Sequence, residues 1–353
     1  MRAAVYYGQR DVRLQEMPDP GAPGPGEVVL RVLACSICGT DVSKYLHGPI
    51  MVPLHARHPA SGHVGPTILG HEFVGRIVAV GEGASLTEGQ RVVPGAGSWC
   101  GACRWCLEGR PNLCVSYYVF GLHTHGGLAR FVRVPAQMCH VVPERCPDAW
   151  AAMAQPCAIA LHAARRSGAH PGDTVVLIGV GAIGSFILAA LRAIGVTSII
   201  ALDVEVERFA TAMHLGATHA FPVRGDAMAL SSAIRNVTDG LGADVVIEAS
   251  GAPSATLLAL SLVRRGGRVL QVGLPTEPVP LPLRQFTVPE IDLITTNGHV
   301  CDTDLPQALT LLATTDLAST IVDRIIPLDA LVNEGLLALA ERRARGKVIV
   351  ALA

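Results

Sequence analysis

Between residues 173 and 273 four short, strongly apolar runs recur: "DTVVLIG" (173–179), "SIIALD" (198–203), "DVVIEA" (244–249) and "RVLQVG" (268–273). Helical stretches separate them, namely "AIGSFILAALRAIG", "EVERFATAMHLG" and "SATLLALSLVRRGG". Strands that show no in–out alternation are buried on both faces, and strands alternating with helices cannot be joined by hairpins. The pattern therefore demands a parallel sheet covered by helices on both sides, an α/β fold.

The first of these strands runs into "GVGAIG", residues 179–184, which opens a helix. Gly179 permits the tight turn, Gly181 lets the backbone approach a pyrophosphate, and Gly184 lets the helix pack on the sheet; Ala182 and Ile183 begin the helix itself. The helix N-terminus offers unpaired N–H groups and a positive dipole end to phosphates. Asp203 closes the next strand, where a carboxylate can accept from both ribose hydroxyls of an adenosine and would repel a 2′-phosphate, which points to NAD over NADP. Val272, Gly273 and Leu274, after a later strand, belong by topology near the nicotinamide.

Before residue 172 the texture differs. "EVVLRVLACSI" (27–37), "EFVGRIVAVG" (72–81) and "GLARFVRVP" (127–135) are β-branched runs bounded by Gly or Pro, and the last apolar run of the chain resembles them. A chain of 353 residues exceeds one ordinary core. The expectation is a β-rich domain built from residues 1–155 and 296–353, with an α/β dinucleotide-binding domain over 156–295 inserted.

Composition excludes several classes. The net charge of −1 provides no basic face for nucleic acid. No apolar block resembles a signal peptide, and the most apolar run, "SFILAALRAIG", is short and broken by Arg192, so neither secretion nor a membrane span is expected. A cytoplasmic protein is the reading. Half the residues are apolar, a surplus that suggests a buried interface between subunits.

Ten cysteines in a reducing compartment favour metal ligation over disulfides. In "WCGACRWCLEGRPNLC", Cys100, Cys103, Cys106 and Cys114 have the spacing of a closed four-thiolate site, which holds shape and leaves no open position for chemistry. An iron–sulfur cluster has compatible spacing but fits less well beside a dinucleotide fold. The segment from residue 38 to 72 holds Cys38 in "CGTD", four histidines, and His71–Glu72 in "GHE". Thiolate, imidazole and carboxylate could form an open zinc site; equally, His71 could be a core histidine and Glu72 a solvated strand residue. His47, His55, His58 and His63 read mostly as solvated loop residues.

Taken together, "CGTD", "GHE", the four-cysteine run, "GVGAIG" and the domain order resemble the zinc-containing medium-chain dehydrogenases along essentially the whole chain. "MRAAVYYGQRDVRL", "YLHGPIMVP", "HPASG", "ILGHEFVG" and "LHAARRSGAHPGD" are most similar to the 2,3-butanediol dehydrogenases, then to the sorbitol dehydrogenases. The resemblance implies a GroES-like catalytic domain, a Rossmann NAD-binding domain, and an active site in the cleft between them. It further implies a homodimer or homotetramer and two zinc ions per chain, one catalytic and one structural. Cys38 and His71 would bind the catalytic zinc, with Glu72 as third ligand or close neighbour. Thr40 would hydrogen-bond the substrate hydroxyl, and Asp41 would orient a ligand. The chain departs from the family where relatives carry glutamate at Gln155 and histidine at Ser43. Gln155 would then bond a water or substrate oxygen, Ser43 would relay the proton through water, and Cys157 would pack the core. The implied activity is NAD-dependent oxidation of a small vicinal diol, or reduction of a hydroxyketone. A sugar alcohol or cyclitol dehydrogenase, and a non-catalytic NAD-binding protein, are the alternative readings.

Overall fold

The computed structural model describes residues 1–224, 227–275 and 277–352, which form two compact units, Met1–Ala158 with His299–Ala353, and Ile159–Gly298. The chain starts with a hairpin, β1 (Arg2–Gly8) and β2 (Asp11–Glu16), then enters β3 (Glu27–Ser36) and the helix α1 (Gly39–His47). There follow β4 (Glu72–Val80), β5 (Arg91–Pro94), β6 (Phe131–Pro135), β7 (Cys139–Val141) and the helix α2 (Ala154–Ser167).

The second unit carries β8 (Thr174–Ile178), α3 (Ala182–Ala193), β9 (Ser198–Asp203), β10 (His219–Pro222), α4 (Ala227–Asn236), β11 (Ala243–Glu248), α5 (Pro253–Leu262), β12 (Val263–Gln271) and β13 (Asp292–Thr295). Its six strands lie in the order β10-β9-β8-β11-β12-β13, every neighbouring pair parallel. This is the doubly wound dinucleotide-binding order, whose direction reverses between β8 and β11. Val176, Ile178, Ile200, Leu202, Val246 and Val269 from four strands pack with Ile234 of α4 and Ala259 of α5 in one core. Each fully buried aliphatic side chain there contributes about 1.5–3 kcal/mol. The edge strands "HAFP" and "DLIT" escape a pattern search because they are short and only partly apolar.

The chain then returns to the first unit through α6 (Cys301–Thr314), β14 (Val322–Pro327) and β15 (Lys347–Ala351). The large sheet of that unit has the order β7-β5-β4-β3-β15-β14, with β6 also paired to β3. Strand β3 is the hub. Its Ser36 stands opposite Glu72 of β4 on one side and Ile349 of β15 on the other. Among the described residues no helix is long and apolar enough to cross a membrane.

Candidate active site

The β8–α3 turn shows why its glycines are needed. Gly179 has φ +93°, and a Cβ there would lie 2.9 Å from Ser250 N. At Gly184 a Cβ would stand 2.0 Å from Gly179 O, so helix and turn touch through hydrogen alone. At Gly181, the residue capping α3, a Cβ would meet no protein atom within 4 Å. That clear face beside a twelve-residue helix N-terminus fits a pyrophosphate. Ala182 and Ile183 are the first residues of the helix. Gly184→Ala is expected to force turn and helix apart, costing about 1–3 kcal/mol. It should weaken NAD binding by about tenfold, which calorimetric titration would detect, and equal affinity would refute the packing argument.

Asp203 is buried at the carboxyl end of β9 and accepts from Val180 N (2.7 Å) and Glu205 N (2.9 Å). The Arg208 guanidinium lies 3.2 Å from its Oδ2. Sequence reasoning missed Arg208, which offsets the negative charge on which the exclusion of a 2′-phosphate was argued. It missed Glu248 as well. This fully buried carboxylate accepts from Ser250 N (2.7 Å), Gly251 N (3.0 Å) and Gln271 Nε2 (2.6 Å). Its backbone oxygen accepts from Val272 N and Gly273 N. Glu248 thus ties together the two loops at the carboxyl ends of β11 and β12, with Leu274 85% exposed beyond them. A glutamate closing the apolar run "DVVIE" was the available signal.

In the first unit, Cys38 caps α1. Asp41 Oδ2 accepts from Cys38 N at 3.1 Å, and Thr40 Oγ1 stands 3.6 Å from Cys38 Sγ. Ser43 follows Thr40 by one helical turn and so shares its face. Cys38, His71 and Glu72 bring ligand atoms within 4.8 Å of one another. His71 is buried; its Nδ1 lacks a hydrogen bond and faces Asp41 Oδ1 at 3.7 Å. Burial works against a charge on this imidazole, yet the Cys38 sulfur and the Asp41 carboxylate outweigh it and lift its pKa to about 9. The convergent sulfur, nitrogen and oxygen donors are a set that suits zinc.

Two buried lysines balance this negative charge, and neither was foreseen. Lys44 Nζ bonds Asp41 Oδ1 (3.1 Å) and Gly121 O (3.2 Å), and the pair holds Asp41 ionised against its burial. Lys347 Nζ bonds Glu72 Oε2 at 2.5 Å and Ile37 O at 2.9 Å. Glu72 is therefore shared between the cluster and a lysine. Gln155 is buried at the start of α2, and its Oε1 lacks a hydrogen-bond partner. No hydrogen bond joins it to Cys38, His71 or Glu72 among the described residues. Cys157 is fully buried outside the cluster, and burial pushes its thiol up.

The four cysteines converge as their spacing demands. Cys103 and Cys106 sulfurs lie 3.5 Å apart, as do those of Cys100 and Cys114. The edge of a zinc–thiolate tetrahedron is about 3.8 Å. Backbone N–H groups of Cys100, Cys103 and Ser116 point at Cys114, Cys100 and Cys114 sulfur respectively. N–H donors from Cys106 and Val115 lower the Cys103 thiol, while desolvation raises that of Cys106 beside it.

The histidines between Cys38 and His71 divide. His47 and His55 are exposed, but His58 stacks on His123 (4.3 Å) and His63 meets His125 edge-on (4.7 Å). This corrects the reading of His58 and His63 as solvated residues; their partners come from "HTH" (123–125), which the sequence analysis did not single out. Burial and the facing histidines push His123 and His125 down to about 4. Unfolding frees both to titrate near 6.5, so their contribution to stability is complete above that pH and is lost as pH falls toward 4. Both rings are partly solvated, which limits the total to about 1–2 kcal/mol. Urea midpoints should fall between pH 7 and 5 and fall less in a His123→Gln/His125→Gln variant; parallel slopes would contradict this.

Comparison with known proteins places these features in context. Residues 24–144 match the family described as alcohol dehydrogenase GroES-like domain, and residues 182–314 match zinc-binding dehydrogenase. The chain is 34% identical to sorbitol dehydrogenase of Bacillus subtilis, over 83% of this chain and 81% of that one. It is 31% identical to (R,R)-butanediol dehydrogenase of the same organism, over 99% of both. A solved structure from Escherichia coli CFT073, described as a short chain alcohol dehydrogenase complexed with cofactor NADH, superposes with a TM-score of 0.86 at 26% identity, covering 99% of each chain.

Proposed function

Since the chain belongs to the zinc-binding alcohol and polyol dehydrogenases with a GroES-like N-terminal domain, oxidoreductases acting on CH–OH groups, we propose that it interconverts a small vicinal diol and its hydroxyketone, as between 2,3-butanediol and acetoin, using zinc and NAD. The observation that carries this reading is the convergence of Cys38, His71 and Glu72. When bound, zinc would act as a Lewis acid that lowers the pKa of an alcohol, and NAD would accept the hydride.

The roles of the residues follow from their surroundings. Cys38, His71 and Glu72 would hold the metal, and Asp41 faces His71 Nδ1 at 3.7 Å as a charge partner. Thr40 Oγ1, beside the Cys38 sulfur, accepts the proton of the reacting hydroxyl and hands it toward Ser43 and solvent. Gln155 Oε1, a buried acceptor without a donor, takes a hydrogen bond from the neighbouring hydroxyl of a diol. A neutral amide at this position, and Lys347 against Glu72, leave the site less negative, which favours loss of the alcohol proton. Gly179, Gly181, Ala182, Ile183 and Gly184 would hold the pyrophosphate. Asp203 and Arg208 would hold the adenosine ribose, and Val272, Gly273 and Leu274 would border the nicotinamide. Cys100, Cys103, Cys106 and Cys114 would hold the structural zinc.

The similarity to a sorbitol dehydrogenase favours a second reading, a sugar alcohol or cyclitol substrate. Initial rates of NADH formation with butanediols, 2-butanol, sorbitol, xylitol and inositol separate the two. A second oxygen bonded to Gln155 should raise kcat/KM for a vicinal diol about tenfold or more over 2-butanol. Equal values would reject the diol preference, and a larger value for a sugar alcohol would select the alternative.

A further inference from the structure

Apart from the two groups already described, the first unit brings a third set of ligand atoms together. His140 of β7, with Cys301 and Asp302 from the first turn of α6, place an imidazole nitrogen, a thiol sulfur and a carboxylate oxygen within 4.8 Å of one another. The cluster shares no residue with the Cys38–His71–Glu72 group or with the four cysteines. We propose that His140, Cys301 and Asp302 form a third divalent-metal site, suited to zinc, with one coordination position open to solvent.

The distances carry the argument. Cys301 Sγ lies 3.6 Å from His140 Nε2, and His140 Nε2 lies 3.5 Å from Asp302 Oδ1. A tetrahedron built on ordinary zinc bond lengths has a sulfur–nitrogen edge of about 3.6 Å and a nitrogen–oxygen edge of about 3.4 Å. The side chains therefore stand near the spacing a zinc ion would impose. One thiolate, one imidazole and one carboxylate is a donor set that borderline cations prefer over magnesium or calcium.

The surroundings are consistent with this. Cys301 is buried, His140 is 21% exposed and Asp302 is 69% exposed, which grades the cluster from a dry sulfur to a wet carboxylate. A cation could enter from the Asp302 side and keep a water as its fourth ligand. The space for the sulfur exists because residue 95 is glycine; a Cβ there would lie 2.7 Å from Cys301 Sγ. Cys301 Sγ also lies 3.6 Å from Met138 O, so the neutral thiol has an acceptor when no metal is present. Desolvation disfavours charge on His140, which leaves the imidazole in its ligating form, and burial lifts the Cys301 thiol to about 12. Metal binding would release that proton. The positive end of the fourteen-residue helix α6 favours the anionic sulfur and carboxylate.

The site would act as a clasp. Cys301 and Asp302 lie where the chain re-enters the first unit after the dinucleotide-binding unit, and His140 belongs to the edge strand β7 of the sheet already formed there. A metal held only by the folded chain stabilises it by mass action.

The test uses the full chain, dialysed to remove weakly held metal and then loaded with Zn2+ or Co2+. Metal per chain is counted after gel filtration, alongside the melting temperature. The wild type should retain one more equivalent than His140→Ala or Cys301→Ser, and only the wild type should gain thermal stability from added zinc beyond two equivalents. Asp302→Ala, at a largely exposed position, should weaken that last equivalent at least tenfold while circular dichroism shows the fold retained. With Co2+, the wild type should show more thiolate-to-metal charge-transfer absorption than Cys301→Ser. Equal metal content and equal cobalt spectra in the wild type and all three variants would overturn the proposal.

Discussion

Cys38→Ser is expected to lower kcat/KM by on the order of 10³-fold or more, with one metal equivalent per chain lost and the fold retained. The expectation follows from charge and softness. Serine stays protonated at neutral pH, so the cluster keeps an imidazole and a carboxylate already shared with Lys347, too few donors for tight zinc. Losing the Lewis acid removes several kcal/mol of transition-state stabilisation, and each 1.4 kcal/mol is about a factor of ten. The structural cost should be small, because Cys38 stands at a helix end and is only partly buried. Measuring metal content, far-ultraviolet circular dichroism and alcohol oxidation on one preparation separates the outcomes. A Cys38→Ser protein with unreduced metal and activity would disprove the assignment of this cluster as the active site.

Lys347→Met should destabilise the protein by about 3–5 kcal/mol, the largest stability effect expected of any single substitution considered for this chain. Lys347 and Glu72 are both almost wholly buried and bonded at 2.5 Å. In the metal-free protein, removing the ammonium leaves a carboxylate without its counter-charge in a dry sheet end, close to the Cys38 sulfur. Removing both charges, Lys347→Met with Glu72→Gln, should recover most of the loss, since a buried pair costs more to break than to replace. Glu72 raises the Lys347 pKa against the opposing effect of burial. The lysine's share of this stability is therefore fully present at neutral pH and is lost only as pH climbs above its ordinary value of 10.5. Urea denaturation of the metal-free wild type, Lys347→Met, Glu72→Gln and the double variant closes the cycle; a loss under 1 kcal/mol for Lys347→Met, or no recovery in the double variant, would show that Glu72 is not held this way.

These two expectations differ in how they were found. Cys38, His71 and Glu72 could be read as possible ligands from their residue types, whereas Thr40 and Asp41 were named only through the family resemblance that "CGTD" carries. The four cysteines and the glycines of the turn were readable from spacing: their chemistry needs neighbours at fixed short offsets. The apolar runs gave the parallel sheet, because burial on both faces leaves no polar alternation, and they gave its central strands better than its edges. "HAFP" and "DLIT" face water on one side and carry too little pattern to register.

Lys347, Lys44, Arg208, Glu248 and the histidine pairs were not readable, since nothing local marks a lysine or a histidine as buried. Lys347 reaches Glu72 across 275 positions, because β15 and β4 flank the same end of β3. His58 and His63 became packed residues only when "HTH" was folded against them. Cys301 met His140 across 161 positions in the same manner. By itself the sequence determined the sheet type, the dinucleotide turn and the grouping of the four cysteines, all of which depend on spacing along the chain. Tertiary structure alone decided which charges neutralise one another, because desolvation and Coulomb attraction act through space and are set by which strands become neighbours.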